Sequence, residues 1–271
     1  MKLKVIYDKT EIGINGNIFR LFPHLVNLKK DELVYFDIKN IFLCNSGNAW
    51  DVYFYQPFYN YEQEIKKKLK NKDFEKLKWN SLPLFEITYN NKNTVYDRNK
   101  IQTYRNIFKK FIKFRDEINI RAENFLEKNK IKNALSIHLR GGDRFSTSSH
   151  APNQRSFLDI NNISKIIDKY LNKFSCEQIF LATDEQLLFE NLKDKYKGIV
   201  FKNDTYLAPK SNNRSIHKVA VFQSDKIKFK LGSDVLTDAI IMSKCKYSLF
   251  MHSQVSYLSL MLRDDFEFFF I

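Results

Sequence analysis

The segment Ser136–Arg144, with the sequence SIHLRGGDR, combines residue types that can hold an anion. Its apolar start predicts a β-strand, and His138 and Arg140 share one face of that strand because side chains alternate. The two glycines that follow let the backbone turn sharply or approach a ligand closely. A guanidinium at the carboxyl end of a strand can bind a diphosphate bidentately and stabilise its charge as it leaves. The alternative for Arg140 is a structural ion pair with Asp143 or Asp184.

The elements that must position these residues alternate along the second half of the chain. The predicted strands are Ala134–Leu139, Gln178–Ala182, Ile199–Lys202 and Tyr247–Met251, and the predicted helices are Asn162–Phe174, Glu185–Tyr196, Ser233–Cys245 and Ser256–Leu262. This alternation predicts a doubly wound, mainly parallel sheet, which binds ligands at the carboxyl ends of its strands. His138–Arg140, Thr183–Asp184 and His252–Ser253 all fall at predicted strand ends, so we expect them to form one site.

The first half of the chain predicts shorter strands and irregular connections. We expect strands at Leu3–Tyr7, Glu32–Phe36 and Asp51–Tyr55, a helix at Ile18–Leu28 and one long amphipathic helix at Ile101–Lys128. Gly13 and Gly16 predict a loop after the first strand, a weak phosphate-binding signal. We place a domain boundary after the long helix, which makes residues 1–128 an N-terminal lobe and residues 129–271 a C-terminal lobe. Whether the Phe-rich C-terminus forms a last strand stays open.

The composition is that of a globular protein, with 271 residues, 44% hydrophobic and 28% charged. The sequence contains no uninterrupted apolar run of about 20 residues, which argues against a membrane span. Its first residues reach Asp8 too soon for a signal peptide and predict a strand. Cys44, Cys176 and Cys245 are widely spaced without a CxxC pair, which argues against disulfides or zinc and favours the cytoplasm.

The formal net charge of +14 favours anionic partners. The sequence carries no zinc-finger spacing, RGG tract or glycine-aromatic RNA-binding signature, so we expect no nucleic-acid partner. Anionic small substrates, together with peripheral association with the inner face of an anionic membrane, fit the charge better.

Three segments carry a family resemblance: IHLRGGDR at 137–144, IFLATDEQ at 179–186 and DVLTDAIIMSKCKYSLFMHSQVSYLSLML at 234–262. In order and approximate spacing they resemble the motifs of the GDP-fucose-dependent fucosyltransferase superfamily, which includes the α1,2-, α1,6- and protein O-fucosyltransferases. The Ala-Thr-Asp and His-Ser-Gln-Val stretches are most similar to the α1,6 branch with its nodulation-type enzymes. The residues that match family motifs are His138, Arg140, Asp143, Ala182, Thr183, Asp184, Asp238, Ser243, Cys245, Ser253, Gln254 and Val255.

The resemblance implies a GT-B-like α/β fold with two lobes, an N-terminal acceptor-side lobe at residues 1–128 and a C-terminal nucleotide-sugar-binding lobe at residues 129–271. It implies an inverting, metal-independent glycosyltransferase that moves fucose, or a related sugar, from a GDP-sugar to a glycan acceptor, with no cofactor. The residues it implies for donor binding are His138, Arg140, Asp184, Asp238, Ser253, Gln254 and Val255. No Asp-x-Asp pair suited to a phosphate-bridging metal stands at a predicted strand end.

Several of these residues have a structural alternative. Asp238 could be a first-turn acid of its helix, stabilised by the helix dipole. Ser253 could cap a helix, although the same geometry can bind a phosphate. Thr183–Asp184 could likewise cap the helix that follows, and His138 could be a buried histidine that orients the loop.

The sequence also departs from the resembled family. Gly141 replaces a second arginine, and residues 146–150 replace a segment in which α1,6-like enzymes carry a candidate base. Asp143 and His150 are therefore our candidates to accept the proton of the acceptor hydroxyl, alongside Arg140 as the residue that assists departure. Two other functions stay open, a nucleotide or phosphate-ester hydrolase and a non-catalytic basic binding module.

Overall fold

The computed structural model describes residues 1–9, 14–78, 98–131, 133–140, 160–207, 222–251, 253–263 and 267–270. Its strands form two all-parallel sheets, of three and five strands, and one short antiparallel pair. Helices pack against both sheets, so the predicted α/β class is confirmed. No helix in the described ranges is long and apolar enough to cross a membrane.

The N-terminal sheet has the order β2-β1-β4. Its elements are β1 (Lys2–Lys9), α1 (Ile14–Val26), β2 (Glu32–Lys39), α2 (Ala49–Tyr53), β3 (Phe54–Tyr55), a 3-10 turn (Tyr59–Tyr61), α3 (Glu62–Lys70) and β4 (Glu75–Lys78), with β3 outside the sheet. Leu3 and Val5 pack on one face of β1 and Ile6 on the other, because alternate side chains point to opposite faces. Both faces are buried, as expected for a parallel sheet.

The predicted strand at Leu3–Tyr7 and helix at Ile18–Leu28 are confirmed, but the helix begins earlier. It starts at Ile14, so Gly16 lies inside α1 and the prediction that it belongs to a loop is wrong. The apolar residues Ile14, Ile18 and Leu21 are buried on one side of the helix, which explains the early start. Gly13 lies outside the described residues.

The predicted strand at Asp51–Tyr55 is wrong for its first three residues. Ala49–Tyr53 is a helix whose N-cap, Asn48, accepts a hydrogen bond from Trp50 N at 3.1 Å. Trp50 and Tyr53 stand one helical turn apart, and both are fully buried. The run of aromatic residues was typical of a strand, but the cap and the spacing of the buried rings favour a helix.

The predicted long helix at Ile101–Lys128 is two helices, α4 (Arg98–Phe111) and α5 (Asp116–Lys128), separated by β5 (Lys113–Phe114). β5 pairs antiparallel with β3. Arg115 N donates to Tyr53 O at 2.9 Å, and the Arg115 guanidinium donates to Asp51 O at 2.7 and 3.0 Å. These contacts with a distant segment interrupt the helix, so periodicity alone could not reveal the break.

The C-terminal sheet has the order β10-β9-β6-β7-β8, and every pairing is parallel. Its elements are β6 (Ala134–Leu139), α6 (Ile160–Phe174), β7 (Gln178–Thr183), α7 (Gln186–Lys195), β8 (Val200–Phe201), α8 (Asp225–Lys244), β9 (Tyr247–Phe250), α9 (Gln254–Leu262) and β10 (Glu267–Phe270). The predicted mainly parallel sheet is confirmed. The open question about the C-terminus is also answered, because β10 is an edge strand beside β9.

Helix α8 lies inside the molecule. All residues from Leu236 to Ser243 are buried, so the helix is enclosed on every side there. One continuous apolar cluster joins Phe36 and Trp50 of the N-terminal half to Phe180 and Leu236 of the C-terminal half. The two sheets therefore share a core, and the lobe boundary at residue 128 stays a prediction.

Candidate functional site

The carboxyl end of β6 carries a buried histidine held by two serines. His138 is the penultimate residue of β6, and its side chain is buried with Ser253 and Ser256. His138 Nδ1 lies 3.1 Å from Ser253 Oγ and 3.0 Å from Ser256 Oγ. Both serines stand at the start of α9, the helix that follows β9. Their hydrogen bonds to His138 therefore join the end of β6 to the helix that follows the neighbouring strand.

Ser253 is the N-cap of α9. Its Oγ accepts a hydrogen bond from Ser256 N at 3.2 Å, so the predicted capping role is confirmed. Gln254 and Val255 follow as the first residues of α9; Gln254 is exposed, and Val255 packs partly against the core. The N-terminal turn of a helix directs backbone N–H groups outward and favours an anion.

Arg140 follows β6 directly and is half-buried. Its backbone N donates to Met251 Sδ at 3.2 Å, and Met251 N donates to His138 O at 3.1 Å. These contacts hold the end of β6 beside the end of β9. Arg140 therefore enters the same edge of the sheet as the amino end of α9, as the sequence predicted.

The carboxyl end of β7 lies on the other side of β6. Thr183 pairs with Leu139, and Asp184 follows it. Thr183 Oγ1 accepts from Glu185 N at 3.3 Å, which gives Thr183 a local turn-forming role at the start of α7. Burial raises the pKa of the Glu185 carboxyl, and the charge of Asp184 raises it further.

Asp238 lies in the second half of the 20-residue helix α8, close to Asn203, which follows the end of β8 by two residues. The alternative interpretation as a first-turn acid is therefore wrong, because the helix begins at Asp225 rather than near Ser233. Burial raises the pKa of Asp238 to about 7, with a further increase from Asp234 and opposing effects of Asn203, Lys202 and Arg121. A carboxyl inside an enclosed helix has lost the water that would stabilise its charge.

Asn203 is a candidate site residue that the sequence prediction did not include. Asp238 Oδ1 and Asn203 Nδ2 are both buried, and among the described residues neither has a hydrogen-bond partner of ordinary geometry. The Asn203 amide is nevertheless near enough to Asp238 to lower the pKa of its carboxyl. Lys202 Nζ is held by Thr205, at 3.1 Å from its carbonyl and 2.9 Å from its Oγ1. Asn203 directly follows the predicted strand Ile199–Lys202, so the rule about strand ends could have found it.

A second carboxylate on α8 is fully paired. Asp234 accepts a hydrogen bond from the Arg121 guanidinium and another from Lys230 Nζ at 2.9 Å. Arg121 also donates to Ser233 Oγ at 2.6 Å. Asp234 thus ties α5 to α8, which makes it structural, whereas Asp238 one helical turn later keeps an unpaired oxygen.

The polar groups follow the order of the strands. All of them lie at one edge of the sheet. Ser253 lies after β9, His138 and Arg140 lie at the end of β6, Asp184 lies after β7, and Asn203 and Asp238 lie beside the end of β8. Neighbouring strands are about 4.8 Å apart, so the groups by β9 and β8 are separated by roughly 14 Å. The edge offers hydroxyl, imidazole and guanidinium groups at one end and a carboxyl–amide pair at the other.

Two predicted catalytic residues, Asp143 and His150, lie outside the described residues. Within the described ranges, no three His, Cys, Asp or Glu side chains come together in a way that could hold a metal ion. Cys44 and Cys245 are buried free thiols, and Cys176 is a partly buried one.

Comparison with solved structures shows that nearly the whole chain has a known fold. The crystal structure of fucosyltransferase NodZ from Bradyrhizobium has a TM-score of 0.55 at 12% identity, covering 97% of this chain and 94% of that chain. A NodZ α1,6-fucosyltransferase soaked with GDP-fucose has a TM-score of 0.54 at 14% identity, covering 96% and 93%. A NodZ structure co-crystallised with GDP has a TM-score of 0.53 at 11% identity, covering 97% and 93%. No protein-family model and no curated protein matches the sequence.

At such low identity these likenesses establish the fold alone. The chain has the fold of these fucosyltransferases, and the structural resemblance predicted from the three motifs is confirmed. The structural likeness extends well beyond residues 132–262, the part of the chain in which the sequence carries the motifs.

Proposed function

We propose that this protein is an inverting glycosyltransferase that moves fucose, or a related sugar, from a GDP-sugar to a glycan acceptor. The observation that carries the proposal is the row of polar groups along one edge of the C-terminal sheet, in a chain with the fold of fucosyltransferases. Two of the similar structures contain GDP or were soaked with GDP-fucose.

The diphosphate would bind at the end formed by β9 and β6. Arg140 would bind its oxygens bidentately, and Ser253 with the first N–H groups of α9 would bind them from the other side. As the bond between the sugar anomeric carbon and the β-phosphate oxygen breaks, Arg140 stabilises the charge left on the diphosphate. A guanidinium in this role replaces a divalent metal, so we propose transfer without metal or cofactor.

The base of the nucleotide would bind at the end formed by β8. Guanine carries an N1–H and an amino group that donate hydrogen bonds, and the Asp238 carboxylate can accept from both. Asn203 Nδ2 can donate to the guanine O6. Adenine has no N1–H, and it carries an amino group where guanine carries O6. Asp238 and Asn203 would therefore select guanine, because adenine would leave these two buried side chains without hydrogen-bond partners. A span of roughly 14 Å suits an extended nucleoside diphosphate.

The acceptor hydroxyl would attack the anomeric carbon from the face opposite the diphosphate, which inverts the configuration. Its proton must pass to a base, and Asp143 and His150 remain our candidates for this step. The N-terminal half, with a basic surface, would receive the glycan. A net charge of +14 also suits a position beside an anionic membrane, where a lipid-linked glycan would be presented.

Calorimetric titration in the presence of EDTA tests the proposal. We expect GDP and GDP-fucose to bind at least tenfold more tightly than ADP or UDP. Equal affinity for all nucleotides, with binding to polyanions that weakens in salt, would identify a basic binding module instead. Hydrolysis of a nucleotide without acceptor, dependent on added metal, would identify a hydrolase.

Replacement of Arg140 tests the role of its guanidinium. Loss of a hydrogen-bonded charge costs about 1.5–3 kcal/mol, so Arg140→Ala should weaken GDP binding about tenfold to a hundredfold and abolish transfer. Arg140→Lys keeps the charge but loses the bidentate geometry and should fall between. Lys165→Ala, which removes an exposed cation from α6, is the matched control and should change neither property. Unchanged turnover of Arg140→Ala would contradict the assignment.

A further inference from the structure

We propose that Ser256 is a positioning residue that holds His138 in the tautomer with the proton on Nδ1. Ser256 lies in the third motif segment but is not among the residues that match the family motif; it is fully buried and contacts the site through His138. The tautomer follows from the hydrogen bonds of the ligand-free protein, whereas its effect on nucleotide binding rests on the proposed function.

The direction of each hydrogen bond follows from which atoms can donate. Ser256 Oγ lies 2.8 Å from Met251 O, and because a carbonyl oxygen can only accept, the Ser256 hydroxyl must donate there. Its one proton is then used, so Ser256 Oγ can act towards His138 Nδ1 only as an acceptor, at 3.0 Å. His138 Nδ1 must therefore carry a proton.

Ser253 is compatible with the same arrangement. Its Oγ accepts a hydrogen bond from Ser256 N at 3.2 Å and lies 3.1 Å from His138 Nδ1. It can therefore also accept from His138 Nδ1–H, which then forms a bifurcated hydrogen bond to both serines. The Ser253 hydroxyl can direct its own proton to Ser256 Oγ, at 3.3 Å, or turn it towards a bound phosphate. Ser256 thus carries the orienting role and leaves the Ser253 proton available for the ligand.

The assigned tautomer determines what the other ring nitrogen can do. In the neutral ring with Nδ1 protonated, Nε2 carries the lone pair and can accept a hydrogen bond but cannot donate one. A ligand hydroxyl can donate to such an atom, whereas a phosphate oxygen cannot. Loss of Ser256 would remove this acceptor and leave Ser253 Oγ beside Nδ1, and the Ser253 hydroxyl can donate to Nδ1 as well as accept from it.

The direct test is the tautomer of His138 in the ligand-free protein. Long-range ¹H–¹⁵N NMR distinguishes the two neutral forms, and His138→Gln assigns the signals among the five histidines. We expect the Nδ1–H form above the pKa of the ring, and a mixture of forms in Ser256→Ala. A wild-type ring in the Nε2–H form would overturn the proposal, whether or not any variant folds.

Ser259→Ala is the matched control. Ser259 is also buried in α9, and its hydroxyl also donates to a backbone carbonyl, Ala239 O at 3.0 Å. We expect Ser259→Ala to leave the His138 signals unchanged. An equal change of those signals in both variants would mean that loss of any hydroxyl in α9 disturbs the ring, and would contradict a specific role of Ser256.

GDP titration then measures the functional consequence. Ser256→Ala should weaken GDP binding about fivefold to tenfold in the wild-type background, but less than twofold in the His138→Gln background, because the serine acts through the imidazole. An equal loss in both backgrounds would overturn the positioning role. If the wild-type protein does not bind GDP, the proposed function fails while the tautomer assignment still stands on its own measurement.

Discussion

The aromatic ring of Tyr53 lies against the backbone of Gly232, so close that a methyl group on the Gly232 Cα would come within 2.5 Å of Tyr53 Cε1, Cζ and Oη. The two residues belong to α2 and α8, which come from opposite halves of the chain. Tyr53 Oη donates a hydrogen bond of 2.8 Å to Lys228 O in the preceding turn of α8. Glycine is required at position 232 by this contact with a buried ring and not by a special backbone angle.

Gly232→Ala should destabilise the protein by about 1–3 kcal/mol, because the buried Tyr53 ring has little room to move. In an unobstructed helix the same change would stabilise by about 0.5–1 kcal/mol, so even the sign is informative. Urea denaturation measures the difference. Lys226→Ala, at an exposed position of the same helix, is the control and should stay within about 0.5 kcal/mol. A more stable Gly232→Ala protein would show that α2 and α8 are not packed this closely.

Lys228→Met should destabilise the protein by about 1–3 kcal/mol. Lys228 is buried, and its Nζ donates to Ile41 O and, at 2.6 Å, to Asn45 Oδ1. Methionine keeps most of the apolar stem but leaves both acceptors without their donor. Lys226→Met is the exposed control. If the two variants unfold at the same urea concentration, the buried ammonium contributes nothing to holding the segment around Ile41 against α8.

Asp238 should lower the free energy of unfolding of the ligand-free protein as the pH rises from about 4 to about 7. The pKa of Asp238 is raised from 3.8 to about 7, so the folded state binds a proton in this window that the unfolded state has lost. The contribution is at most about 1.4 kcal/mol per pH unit. Asp238→Asn should remove this slope, which is measured as the difference between the urea denaturation curves of wild type and variant across pH. Parallel pH dependences would contradict the raised pKa.

GDP affinity should rise with pH through the same pKa. Only the ionised Asp238 can accept from both the N1–H and the amino group of guanine, so binding releases a proton below a pH of about 7. The slope should approach one logarithmic unit of affinity per pH unit there and then flatten. Asp238→Asn should lose this component and bind GDP more weakly at pH 8. A pH dependence that survives unchanged in Asp238→Asn would place the base elsewhere.

Removal of divalent metal should leave transfer unchanged. The proposed function assigns the stabilisation of the leaving diphosphate to Arg140, so a chelator has no required ion to remove. The measurement is the rate of transfer from GDP-fucose in EDTA, compared with the rate after Mg²⁺ or Mn²⁺ is added back. A loss of activity in EDTA that either metal restores would show that the guanidinium does not act alone.

The sequence predicted the parallel C-terminal sheet and the meeting of the candidate site residues at one edge of it. The predicted strands Ala134–Leu139 and Gln178–Ala182 agree with the observed strands, the second of which extends to Thr183, and the polar residues at their ends indicate one edge. Prediction failed where contacts between distant segments decided the local structure. Arg115 interrupts a stretch of helical periodicity because its backbone and side chain bind the Asp51–Tyr53 segment.

Asp238 is a candidate site residue whose environment differs from the one that the sequence predicts. Its position in a motif is visible in the sequence, but α8 begins eight residues before the predicted start at Ser233, so Asp238 is not a first-turn acid. The early turns of α8 are rich in lysine and carry no simple apolar stripe, because they are buried partly through polar contacts such as that of Lys228. Asn203 follows the predicted strand Ile199–Lys202, as the rule about strand ends requires, but its burial beside Asp238 depends on tertiary packing that the sequence does not show.

The sequence by itself determined the α/β class, the parallel C-terminal sheet and the gathering of His138, Arg140 and Ser253 at its edge. These follow from the period of apolar residues and from the rule that parallel strands end at the same side. The tertiary structure alone decided the burial of Asp238, the contact of Tyr53 with Gly232 and the direction of the hydrogen bonds around His138. The physical reason is that burial and hydrogen-bond direction depend on atoms from segments more than 100 residues apart, which no local pattern records.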